Sequence, residues 1–64
     1  MDLFESLKIG NSILSREDEQ SRWESYKITE ISGENIVMTN DDGIEVTSYR
    51  EEINEGIYFK KASS

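Results

Sequence analysis

The chain has 64 residues, with seven Lys and Arg against fourteen Asp and Glu. That length makes one small domain, which buries only about 60% of the surface its unfolded chain exposes. It has neither Cys nor His, which excludes disulfides, thiolate or imidazole metal sites and His- or Cys-based catalysis, and its net charge of −7 repels phosphate backbones and anionic membranes.

The N-terminal "DLFESLK" sets Leu3, Phe4 and Leu7 at helical spacing, which predicts a short helix or turn folded onto the rest. It lacks a basic region followed by an apolar core of roughly 7–15 residues, and no run reaches the roughly 18 apolar residues of a spanning helix. The expectation is a soluble, cytoplasmic protein. Gly10, Gly33, Gly43 and Gly56 each stand beside Asn, Asp, Ser or Glu. The segments between them are short and β-branched, which predicts strands and turns.

The first strand centres on Ile13-Leu14, and "SREDEQSR" after it reads as an exposed charged loop. "WESYKITEIS" is a second strand starting near Trp23. Tyr26 and Ile28 share one parity and Trp23 and Ile31 the other, which predicts a bulge or bend that curls the sheet. "NIVMT" is a third strand with Ile36 and Met38 on one side. "IEVTSY" is a fourth, with Ile44 and Val46 inward and Glu45, Thr47 and Tyr49 outward. Between them Asp42-Gly43 is a hairpin signal, because Gly supplies positive φ and Asp tolerates it while bonding nearby amides. That accounts for Asp42 and leaves Asp41 over. "REEIN" is one helical turn, and "GIYFKK" a last strand whose Lys pair blunts an exposed edge.

These elements predict an all-β fold: a small five-stranded antiparallel barrel with a short N-terminal helical segment, as one domain over residues 1–64. Over residues 8 to 60 the pattern of "GNSIL", "WESYKI", "NIVMTNDDG" and "EVTSYREEI" resembles the Src-homology-3-like small barrels, most of all Tudor-type modules. The resemblance implies aromatics at loop ends that hold methylated Lys or Arg by cation–π attraction, here beside Asp41 or Asp42. Tyr26 and Phe59 read as core, while Trp23 and Tyr49 are candidate partner anchors.

Charge is the other pattern. Glu30 to Phe59 carries eight acids and one base: Glu30, Glu34, Asp41, Asp42, Glu45, Glu51, Glu52 and Glu55 against Arg50. The candidate partner-binding set is therefore Trp23, Tyr49, Asp41, Asp42, Glu45, Glu51, Glu52 and Glu55. The expected function is a non-catalytic protein-interaction module whose acidic surface meets a basic patch on its partner, with no direct nucleic-acid or membrane binding. A homodimer would supply burial that so short a chain lacks. The alternative is a small acidic inhibitor that mimics nucleic acid, since the composition is similar to anti-restriction and anti-CRISPR proteins of phages and mobile elements.

Other chemistry finds no support in the residues. Carboxylate pairs at Asp41/Asp42 and Glu51/Glu52 would need a concave site to act as a hydrolase. A calcium loop with Gly43 at its sixth position would begin at Met38 and end at Tyr49, neither of which can serve as ligand. "EVTSYREEI" is locally similar to the end of the carbon storage regulator family, but the acidic N-terminus and "NDDG" depart from that family's pattern. No cofactor or metal motif is present in the sequence.

Overall fold

The computed structural model describes residues 2–62. Alternation of apolar and polar side chains builds five strands: β1 (Ser12–Ser15), β2 (Glu24–Ser32), β3 (Asn35–Thr39), β4 (Glu45–Tyr49) and β5 (Phe59–Lys61). Two short helices, α1 (Leu3–Ser6) and α2 (Arg50–Glu55), complete the fold. All neighbouring strands are antiparallel, in the order β4-β3-β2-β1-β5, and the sheet curls into a half-barrel. Edge strand β5 carries the Lys60-Lys61 pair expected at an edge.

The concave face holds the core. Ile13, Ile28, Ile36 and Met38 from the sheet meet Phe59, Ile53 of α2, and Phe4 and Leu7 of the N-terminal segment. The radius of gyration is 10.6 Å, against the roughly 10.7 Å expected for a folded chain of this length. The half-barrel is thus as compact as larger closed folds scaled to its size.

The parity change in β2 is a bulge, as expected. Ile28 pairs with Met38 but Glu30 pairs with Val37, so Thr29 is the extra residue. The insertion brings both Ile28 and Ile31 onto the core side and bends the strand. After β4 the chain turns directly into α2, which ends at Gly56 with φ +75°, a left-handed backbone that favours glycine. Without a Cβ there, the chain can drop from α2 back to β5.

Three local expectations need correction. Ile44 does not face the core; it lies outside β4 in the turn and is 54% exposed. The last strand begins at Phe59, with Ile57 and Tyr58 in the bend before it. In the β3–β4 turn, the side chain that bonds the backbone is Asn40 and not Asp42. Asn40 Oδ1 accepts from the Asp42 and Ile44 amides, both at 2.9 Å. Gly43 alone takes positive φ, at +80°, and its N–H donates to the Asn40 carbonyl at 3.1 Å. This is a three-residue hairpin with glycine in the left-handed position, so neither Asp41 nor Asp42 is needed for the turn.

The N-terminal segment is tied down by Arg50. Its Nη2 donates to Asp2 Oδ2 and, at 3.0 Å, to Glu5 Oε1, and its Nη1 lies 3.6 Å from Glu34. One guanidinium thus joins α1, the β2–β3 turn and the start of α2. Asn54 Oδ1 accepts the Phe4 N–H at 2.9 Å, which fixes the start of α1 against α2. No helix among the described residues is long and apolar enough to cross a membrane.

Candidate functional site

The curl of the sheet brings four segments together at the end of the half-barrel away from Arg50: the end of β1, the start of β2, the β3–β4 turn and the bend before β5. Together with Val46 of β4 and Glu52 of α2 they line a cleft of about 360 Å³, within the range of binding pockets. One wall is aromatic and apolar, formed by Tyr26, Tyr58, Phe59, Val46 and Ile44. The carboxylates Glu17, Glu24, Asp42 and Glu52 stand around it. Beside it, over the β3–β4 turn, lies a second depression lined by Glu24, Ser25, Asn40, Asp41 and Asp42.

Each part follows from local structure. Tyr26 is two residues before Ile28 in β2, so it shares the concave side and packs partly against the core. Glu52 comes from α2 and is held by Ser48 of β4, whose buried hydroxyl donates to Glu52 Oε1 at 2.5 Å. Asp18 shapes the β1–β2 loop through bonds from the Gln20 amide at 2.8 Å and the Ser21 hydroxyl at 3.1 Å. Those bonds hold its carboxyl below the ordinary value of 3.8.

Arg16 borders the same cleft and is fixed in place. Its Nε donates to the Ile57 carbonyl at 2.8 Å and its Nη1 to the Glu19 carbonyl at 3.3 Å. Its Cζ lies 4.3 Å from the Trp23 ring centroid, and Lys60 Nζ lies 4.5 Å from the same centroid. Trp23 is therefore engaged by two cations of its own chain, near where β1, β2 and β5 meet.

The residues singled out in the sequence divide accordingly. Asp42 and Glu52 line the cleft and Asp41 the adjoining depression. Glu45 begins β4 and is exposed; Glu51 and Glu55 are exposed on α2. Tyr49, 49% exposed, precedes α2 on the outward side of β4 and lies beside Arg50, not beside Asp41 or Asp42. Tyr58, Ile44, Arg16, Glu17 and Glu24 join the site only through the tertiary structure, and Tyr26, expected in the core, packs against it while also lining the cleft. Only the parity of Glu24 with Tyr26 hinted at a shared face.

None of the cleft carboxylates is ion-paired: the ion pairs among the described residues all belong to Arg50 at the opposite end. The described residues contain no cluster of acidic side chains arranged to hold a metal ion. What the cleft presents is negative charge next to flat aromatic surface. Comparison with known proteins finds no matching family model, no matching curated protein and no matching solved structure.

Proposed function

We propose that the chain is a non-catalytic protein-interaction module that takes a basic side chain of its partner into the tyrosine-lined cleft. The observation that carries this reading is the joining of Tyr26 and Tyr58 with unpaired carboxylates Glu24, Asp42 and Glu52 in one concavity. An Arg side chain suits that combination, because its weakly hydrated guanidinium stacks on aromatic rings and bonds carboxylates with a planar fork. Trp23 is not the anchor in this reading, since Arg16 and Lys60 already occupy its ring. The strand order, with a short helix before the last strand, supports assigning the half-barrel to the Src-homology-3-like group, and the chemistry proposed rests on the cleft and not on that likeness.

Titration of the isotope-labelled protein with a short peptide containing one arginine tests the reading by two-dimensional NMR. Amide shifts concentrated on Tyr26, Asn40, Ile44 and Tyr58, and lost with Glu52→Gln, are expected. Shifts spread over Glu30, Glu45, Glu51 and Glu55, or none at all, would overturn it. Spread shifts together with capture of a nucleic-acid enzyme that DNA competes away would favour the mimicry alternative.

A further inference from the structure

The cleft does not end at the tyrosines. The adjoining depression of about 260 Å³ shares Glu24, Asn40 and Asp42 with it, so the two form one groove that runs from the bend before β5 across the β3–β4 turn. The groove has a direction. At the Tyr58 end the Arg16 guanidinium is held by the Ile57 and Glu19 carbonyls and by Trp23, which keeps its positive charge beside the groove. The far end carries Asp41 and Asp42 with the polar Ser25 and Asn40 side chains and has no apolar side chain in its lining.

Resting on the function proposed above, we infer that the partner segment is an extended stretch of chain with two arginines. The first enters the cleft between Tyr26 and Tyr58, over Glu52. The second lies across the turn against Asp41, Asp42 and Glu24. Charge complementarity selects this occupant: a single cation over Glu52 leaves the Asp41 end unmatched, and a second cation placed beyond Tyr58 instead meets the Arg16 guanidinium. A segment in strand conformation projects alternate side chains from one face at roughly 7 Å intervals, which lets two arginines separated by one residue enter neighbouring depressions. The residue between them faces solvent.

Fluorescence anisotropy with two labelled pentapeptides, Ala-Arg-Ala-Arg-Ala and Ala-Arg-Ala-Ala-Ala, both N-acetylated and C-amidated, tests this. The diarginine peptide is expected to bind at least about tenfold more tightly at about 0.15 M salt, where exposed charges beyond about 8 Å are screened. Asp41→Asn should remove most of that advantage without affecting the single-arginine peptide. Glu52→Gln should weaken both. Equal binding of the two peptides, or an Asp41→Asn variant that keeps the advantage, overturns the two-arginine inference while leaving the proposed function standing. Failure of both peptides to bind overturns the proposed function itself.

Discussion

The Ser48 hydroxyl donates to Glu52 Oε1 at 2.5 Å, linking the buried face of β4 to α2 and fixing a carboxylate at the cleft. Ser48 is only 2% exposed, and its bond partner is the one helix residue that lines the cleft. A polar residue inside a small core is accounted for here by what it positions.

That relationship separates stability from binding. Ser48→Ala should lower stability by ~1 kcal/mol, the usual net worth of one hydrogen bond, read as a lower urea midpoint, and should weaken arginine-peptide binding by freeing Glu52. Glu52→Gln keeps an acceptor for Ser48 and removes only the charge, so its urea midpoint should stay near wild type while binding drops. Equal loss of stability in both variants would contradict the division.

The β3–β4 turn gives a second test. Asn40→Ala strips the acceptor from two backbone amides and should cost ~1–2 kcal/mol. Gly43→Ala forces a Cβ into a backbone with φ +80° and should cost ~1–2 kcal/mol. Asp42→Ala should change stability by less than ~0.5 kcal/mol, as for surface sites without a structural partner. Urea titrations of the three variants decide whether Asn40 or Asp42 carries the turn.

Trp23 is the chain's single tryptophan, so its fluorescence reports the cation clamp directly. Lys60→Met and Arg16→Met should each shift its emission; Lys60→Met should cost ~0.5–1 kcal/mol, typical of exposed cation–π contacts, and Arg16→Met ~1–2 kcal/mol, because it also loses the bonds to the Ile57 and Glu19 carbonyls. Unchanged emission in both variants would show that the ring is not held between these side chains in solution. Trp23→Phe should retain arginine-peptide binding, because a Phe ring keeps the stack on Arg16.

Asp2 links stability to pH. Burial of its carboxyl works against ionisation, but the neighbouring Asn54 side chain, the hydrogen bond from Arg50 and the Arg50 charge outweigh it, holding the group below its ordinary value of 3.8. A group with a depressed folded value contributes stability above its unfolded value and loses that contribution as pH falls through the folded one. Wild type should therefore exceed Asp2→Asn in urea midpoint near about pH 6, with a smaller gap near about pH 3. A gap of the same size at both pH values would mean that the Asp2 charge plays no part.

Core truncation sets the scale for the rest. Ile28 and Ile53 are fully buried, and replacing either with Ala should cost ~2–5 kcal/mol. That is a large part of the roughly 3–10 kcal/mol expected for a chain of this length. Loss of the cooperative unfolding transition at room temperature in Ile53→Ala, alongside a folded Glu51→Ala control, is the expected result.

Much of the architecture was legible in the sequence because it rests on local rules. Glycine-punctuated β-branched runs marked the strands and turns, Leu3, Phe4 and Leu7 marked the N-terminal helix, and the parity change in "WESYKITEIS" marked the bulge at Thr29. Side-chain alternation along a strand has a period of two residues, so it can be read without knowing the neighbours. The missing His and Cys were equally plain, and they removed whole classes of chemistry.

The site depended on tertiary structure. Arg16 and Lys60 are far apart in sequence and meet at Trp23 only because β1 pairs with both β2 and β5. Tyr26 and Tyr58 share a cleft because the curl of the sheet draws the start of β2 and the bend before β5 to one end. Composition counted carboxylates along the chain, but which of them stand unpaired beside aromatic rings is set by how the strand ends converge. That convergence follows from twist and bulge accumulated over the whole sheet, a property no single segment carries.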